Sequence, residues 1–91
     1  MKNAREDGLY SEYDTNIPDD IKAMFNEVTQ RLMGVGYKPI CFAIKREKGF
    51  KFKFFCNATP MLPGEYEYAV FIEIFKPTDG IAHLIGISRV N

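Results

Sequence analysis

Residues 43 to 55, AIKREKGFKFKFF, place basic side chains around one glycine and then alternate phenylalanine with lysine. Alternation with a period of two is typical of a β-strand that buries one of its faces. The turn residues 46 to 49 separate this run from an earlier alternating run over residues 40 to 44. The stretch therefore predicts a β-hairpin in which Lys51 and Lys53 point away from the large apolar residues. Those apolar residues are Ile40, Phe42, Ile44, Phe50, Phe52 and Phe54.

An amphipathic helix is predicted ahead of the hairpin, over residues 16 to 33. Asn16 is a residue type that caps helices, and Pro18 suits a first helical turn. The two aspartates that follow Pro18 place negative charge at the positive end of the helix dipole. Gly34 and Gly36 mark the end of the helix. Apolar residues at spacings of three and four form one stripe along it: Ile17, Ile21, Met24, Phe25, Val28 and Leu32.

Two further strands complete the pattern. The segment NATPMLPG (57 to 64) contains two prolines and one glycine and is predicted to be a loop. The alternating run 65 to 75 is a third strand, KPTDG (76 to 80) is a turn, and residues 81 to 90 form a last strand. The predicted fold class is α+β, with one long helix packed on a four-stranded antiparallel sheet.

Length and charge limit the architecture and the classes of partner. Ninety-one residues suffice for one modest core, so we expect a single domain over residues 1 to 91. It should have a partly ordered N-terminal arm over residues 1 to 15 and its sheet over residues 37 to 91. The net charge is zero, which gives no overall attraction to nucleic acid or to a membrane. No bilayer-spanning segment or secretion signal is evident, so we expect a cytoplasmic chain.

The sequence offers little chemistry for catalysis. His83 is the one histidine, and no serine or cysteine stands at a spacing that would pair with it as a nucleophile. Cys41 and Cys56 are too few for a disulfide framework or a four-ligand metal site, and we expect free thiols that pack as apolar residues. We therefore expect no enzymatic activity, no cofactor and no metal site.

Several longer strings resemble the cystatins, and most closely the short intracellular stefins, which lack disulfides and signal peptides. GLYSEYDTNIPDDIKAMFNEVTQRL (8 to 32) is similar to the stefin arm and helix, with a Gly-Leu pair ahead of a proline and matching helical spacing. YAVFIEIFK (68 to 76) and LIGISRV (84 to 90) are similar to the third and fourth stefin strands. The resemblance covers nearly the whole chain and implies a cystatin-like fold.

In stefins and cystatins, three segments form a wedge that blocks papain-like cysteine proteases: the arm glycine, a Gln-x-Val-x-Gly loop in the first hairpin, and the tip of the second hairpin. The resemblance implies that this chain binds a partner protein through the matching positions. They are Gly8, Leu9, Lys45, Arg46, Glu47, Lys48, Gly49, Pro77, Thr78, Asp79 and Gly80. Only the glycine of the loop motif is retained. We therefore expect a weak or divergent inhibitor, because charged loop residues must be desolvated or paired in a protease cleft.

Two other functions stay open. One is a protein-interaction module, of the kind found among small immunity or anti-defence proteins, that keeps this fold without inhibiting a protease. The other is nucleic-acid binding through the basic first hairpin, which is disfavoured because its phenylalanines are needed in the core. Lys51 and Lys53 also have a simpler explanation, since they can pair with glutamates of the next strand on a solvated face. Those glutamates are Glu65, Glu67 and Glu73.

Large apolar side chains are also predicted on the sheet face that points away from the helix. A contiguous apolar patch usually marks an interface, so these residues predict a homodimer or a partner docked on the sheet. Alternatively, the N-terminal arm folds across them with Leu9, Tyr10 and Tyr13. The residues of this predicted patch are Phe55, Phe71, Phe75 and Leu84.

Overall fold

The computed structural model describes residues 8 to 90, in which one α-helix packs against one four-stranded antiparallel sheet. This arrangement confirms the predicted α+β class. The helix α1 and the strands β1 to β4 cover Asp19–Thr29, Val35–Arg46, Gly49–Pro60, Tyr68–Pro77 and His83–Arg89. The strands lie in the sheet in chain order. The first seven residues of the predicted arm, and the last residue of the predicted sheet, lie outside the described residues.

Helix α1 is shorter than the predicted 16 to 33 at both ends. Asn16 does not cap it, because the helix begins three residues later, at Asp19, and the Asn16 backbone N–H donates to Asp14 Oδ1 at 2.9 Å in a turn before the helix. Pro18 takes the N-cap position. At the other end the Leu32 N–H bonds to the Thr29 carbonyl at 2.9 Å, a tighter turn that ends the helix five residues before Gly34.

Phe25 joins the helix to the sheet. Its side chain is completely buried, and its ring centroid lies 4.7 Å from that of Phe54. The rings of Phe42 and Phe52 lie 6.1 and 6.2 Å from Phe54 on the same side of the sheet. Burying a side chain of this size contributes about 1.5–3 kcal/mol. The structure thus confirms the alternation predicted for β2, because Phe50, Phe52 and Phe54 lie on the helix side of the sheet.

The alternation predicted for β1 is wrong at Ile40. The pairing of β1 with β2 shifts by one residue between Pro39 and Cys41, which makes Ile40 the extra residue of a β-bulge. Ile40 is therefore exposed, whereas Phe42 and Ile44 beyond the bulge are buried. Proline is tolerated here because β1 is an edge strand of the sheet and the bulge interrupts the ladder.

The loop between β2 and β3 is also displaced from its predicted place. Residues 57 to 60 belong to β2, where they pair with residues 35 to 38 of a longer β1, so the loop covers residues 61 to 67. Glu65 and Glu67 therefore precede β3 and cannot form the predicted pairs with the β2 lysines. Glu73 does lie opposite Lys53.

Replacing Phe25 by alanine should lower the free energy of unfolding by about 3–5 kcal/mol, because it leaves a cavity between α1 and β2. Urea denaturation followed by circular dichroism measures the change. Met33→Ala is the matched control, since Met33 is 93% exposed and its truncation should change stability by no more than about 0.5 kcal/mol. Equal effects of the two substitutions would contradict the described packing.

Candidate functional site

The first hairpin turns through Glu47 and Lys48. The Glu47 N–H donates to the Gly49 carbonyl at 3.0 Å, and Lys48 has a positive φ of 51°. A positive φ is uncommon for a residue with a side chain. The turn exposes residues 46 to 48 to solvent at the end of the sheet.

The charges on this turn are unbalanced. Lys45 Nζ and Lys51 Nζ lie 3.6 and 3.3 Å from Glu47 Oε2. The hydrogen bond from Lys51, together with the charge of Lys45, lowers the pKa of Glu47. Arg46 lies over the Phe50 ring at 5.7 Å, and Lys48 makes no ion pair with any described residue. One carboxylate thus faces four cations, and the turn carries a net positive charge.

The tip of the second hairpin lies directly beside this turn. Gly49 pairs with Pro77, the last residue of β3. A Cβ atom on Gly49 would lie 2.7 Å from Pro77 Cα and closer still to the Lys76 carbonyl oxygen. Gly49 also has a φ of 125°. Close approach and backbone conformation therefore both require glycine here, which explains this residue without any role in binding.

The second tip closes on itself. Lys76 Nζ donates to the Gly80 carbonyl at 3.2 Å across the turn. A Cβ atom on Gly80 would meet the Pro77 ring, with Cγ at 2.5 Å. Thr78 and Asp79 are exposed between these residues.

The N-terminal arm runs along the outer edge of β1. The backbones of Asp14 and Phe42 exchange two hydrogen bonds of 2.9 and 3.0 Å, and the Ser11 N–H donates to the Ile44 carbonyl at 2.8 Å. The Ile44 N–H in turn donates to Ser11 Oγ at 3.0 Å. Since the pairing is antiparallel, the chain before Ser11 heads toward the first hairpin turn.

Tyr10 confirms that direction. Its ring lies 5.4 Å from Lys45 Nζ and 5.9 Å from Lys53 Nζ. Burial, with a smaller effect from the negative charge of Glu73, raises the pKa of Tyr10 to about 12. Gly8 is half-buried with a φ of 77°, and Leu9 is exposed. The arm and both tips therefore lie at one end of the sheet, the hairpin end, which we define as residues 8–10, 45–49 and 76–80.

The predicted apolar patch is split between the two sides of the sheet. Phe55 and Phe71 do lie on the face away from α1, with ring centroids 5.5 Å apart, and Tyr13 of the arm lies 6.3 Å from Phe71. Phe75 lies apart from them, edge-on to His83 at 5.8 Å. Leu84 does not join the patch: it pairs with Ile74 and packs on the helix side. Of the two predicted alternatives, the arm does fold across the sheet, since it contacts Phe71.

The residues considered for chemistry are His83 and the two cysteines. His83 Nδ1 lies 3.3 Å from the Ile81 carbonyl oxygen. Cys56 is buried, which raises the pKa of its thiol to about 12, and burial also raises the pKa of Cys41. Both thiols are therefore poor nucleophiles at neutral pH. Among residues 8 to 90, no three side chains of the histidine, cysteine, aspartate or glutamate type are grouped as metal ligands.

One feature was not predicted from the sequence. A groove of about 700 Å³ lies between α1 and β4, beside the turn that precedes β4. Met24 and Val28 border the groove on the helix side, and Ile81 and Leu84 border it on the opposite side. The groove lies beside the part of the sheet where α1 approaches β4 and where the β4 side chains stay half-buried or exposed. The apolar run in the last strand was the available signal.

Comparisons with protein-family models, with curated proteins and with solved structures found no match for this chain. In residues 8 to 90, the one helix has neither the length nor the apolar character to cross a membrane.

Gly49→Ala should destabilise the protein more than Gly64→Ala. Gly64 also has a positive φ, of 85°, but no atom lies within 4 Å of an added Cβ, so its substitution should cost only about 1–2 kcal/mol. At Gly49 the added atom also collides with the end of β3. Urea denaturation of both variants measures the difference, and equal losses would show that the two tips do not touch in solution.

Proposed function

We propose that this chain is a non-enzymatic protein-binding module that contacts its partner through the hairpin end. The observation that carries the proposal is the meeting of three separate segments, the arm and two hairpin tips, at one end of the sheet. Most residues of the tips are exposed, and their backbones are held by hydrogen bonds and by close contact. An exposed surface formed by three separate segments suits a protein partner.

The charge of the first tip supports an acidic partner surface. Glu47 is already engaged by two lysines, so Arg46 and Lys48 stay available for attraction over a distance. The second tip carries one cation, Lys76, and one anion, Asp79, so it has no net charge. Asp20, at the start of α1, lies near this tip. The expected partner surface is therefore acidic opposite the first tip alone. Such complementarity mainly raises the rate of association.

The arrangement also supports the narrower proposal of a stefin-like inhibitor, because stefins use the same three segments. The obstacle is the charge of the first tip, which a protease cleft would have to desolvate or pair. We therefore infer a divergent protein that uses the three binding segments of stefins, and whose target is not the active-site cleft of a papain-like protease. A module of the immunity or anti-defence type would use the same surface.

Nucleic-acid binding finds less support. Phe52 and Phe54 are buried beneath α1 and cannot stack on bases. Lys53 lies 4.7 Å from the Phe71 ring and close to Tyr10, where both aromatic rings shield its charge. The remaining cations of the first hairpin cluster at its turn, where Lys45 and Lys51 are already paired with Glu47.

Capture of bound proteins from the cells that make this chain tests the proposal, using two variants with equal loss of charge. Arg46→Ser with Lys48→Ser alters the first tip, whereas Arg31→Ser with Lys38→Ser removes two exposed cations toward the opposite end. The tip variant should associate with the captured partner at least about tenfold more slowly, and with weaker salt dependence. Both variants should keep their stability within about 0.5 kcal/mol per site.

Equal association by the two variants would assign the tip charges to solubility alone. Removal of residues 1 to 9 provides the second arm of the experiment. If that truncation also leaves association unchanged, the hairpin end is not the binding surface and the proposal fails.

Titration of papain tests the narrower proposal. We expect weak inhibition by the wild-type chain, and stronger inhibition by the double serine variant, because it removes two charges that the cleft must desolvate. Tight, stoichiometric inhibition by the wild type would show that the shape suffices without the loop motif. Equal, weak inhibition by both would show that charge is not the obstacle.

A further inference from the structure

The two edge strands of the sheet, β1 and β4, differ in what lies beside them. The outer edge of β1 is hydrogen-bonded to Ser11 and Asp14 of the arm. The outer edge of β4 has no strand beside it among the described residues. An open edge presents unpaired backbone groups that can bond to another strand.

The hydrogen bonds of β4 show which of its residues face that open edge. The Val90 N–H donates to the carbonyl of Ala69, which lies directly opposite it. In an antiparallel pair, hydrogen-bonded and non-hydrogen-bonded residue pairs alternate. Ser88 and Gly86 therefore bond to β3, whereas Ile87 and Arg89 direct their N–H and C=O groups outward.

The side chains along this edge are apolar and poorly covered. Ile85 and Ile87 are 42% and 41% exposed, and Ile87 lies on the helix side of the sheet, opposite the buried Ile72. Arg89 is the one charged residue of the strand after His83, and its guanidinium lies against the Tyr68 ring at 4.0 Å. The strand has no proline and no lysine, although a bulge at Ile85, where its pairing with β3 shifts, does interrupt the edge ahead of Gly86.

We propose that the edge of β4 binds β4 of a second copy of this chain in antiparallel pairing. The strand is self-complementary, because a twofold axis at Ile87 brings the outward N–H and C=O of each copy onto the C=O and N–H of the other. The two Ile87 side chains then meet on the helix side, where each covers exposed apolar surface of the other. A symmetric pair of this kind buries the same residues on both copies.

Glu73 selects the register. Its carboxylate lies across Gly86, 3.8 Å from the position of an added Cβ. A dimer centred on Gly86 would bring two such carboxylates together. With Ile87 at the axis, Gly86 instead faces Ser88 of the second copy, whose hydroxyl can donate to Glu73.

This pairing extends the sheet to eight strands, with both helices on one side. A seven-residue strand is only about 24 Å long, so the interface is smaller than the roughly 800 Å² per partner of a stable complex. The dimer should therefore be reversible and concentration-dependent. The proposal does not rest on the function of the hairpin end, which stays free in each copy.

Sedimentation equilibrium from about 1 µM to about 1 mM should show a monomer–dimer equilibrium for the full chain. Ile87→Lys should raise the dimer dissociation constant at least about tenfold, because it places two cations opposite each other at the axis. Met33→Lys introduces the same charge at an exposed position in the loop after α1 and should leave the dissociation constant unchanged. Circular dichroism checks that both variants are folded.

Cross-linking through introduced cysteines tests the register of the dimer, and it does not depend on the fold tolerating a lysine at position 87. In Ile87→Cys, paired Cα atoms would lie about 5.5 Å apart, within the range for a disulfide. In Ser88→Cys the corresponding atoms are displaced by two residues, to roughly 7–8 Å, beyond that range. Mild oxidation should therefore give a covalent dimer of the first variant only, with the two native thiols unreactive.

A monomer over the whole concentration range would overturn the proposal. So would a dimer that responds equally to Ile87→Lys and Met33→Lys, or one in which Ser88→Cys cross-links as readily as Ile87→Cys.

Discussion

The contact of Phe25 with Phe54 is the constraint on which the rest of the structure depends. A single short helix must cover the sheet, and this ring pair fixes the helix over β2. Because successive residues of a strand point to opposite faces, burying Phe54 here commits the lysines of β2 to the other face. There Lys53 lies near the Tyr10 ring of the arm. The side chains of β4 stay half-buried or exposed beside the short helix.

The sequence predicts the fold class well because its signals are local and periodic. The phenylalanine alternation in β2 and the spacing around Phe25 correspond to the observed core. The errors arise where one contact changes the local pattern. A turn closed by the Asn16 N–H and Asp14 Oδ1 precedes the helix, which begins only at Asp19, and the bulge at Ile40 reverses one side chain. Neither event has a periodic signature, so composition and spacing could not predict them.

The site is predictable only in its parts. The resemblance to stefins identifies the three segments, but their positions relative to one another depend on long-range pairing, such as that of Gly49 with Pro77. The outward position of Phe71 follows from alternation, whereas Leu84 is reversed because the β3–β4 register shifts after Glu73. The open edge of β4 depends on which strand the arm joins, and the sequence holds no local signal for that choice.

The close approach of Gly49 to the end of β3 has a thermodynamic consequence. Two loops that bind independently must each lose conformational entropy when a partner orders them. Here the backbones of the two tips touch with no side chain between them, so they form a preorganised unit whose ordering is completed during folding. A partner therefore meets both tips as one body and does not have to order them separately.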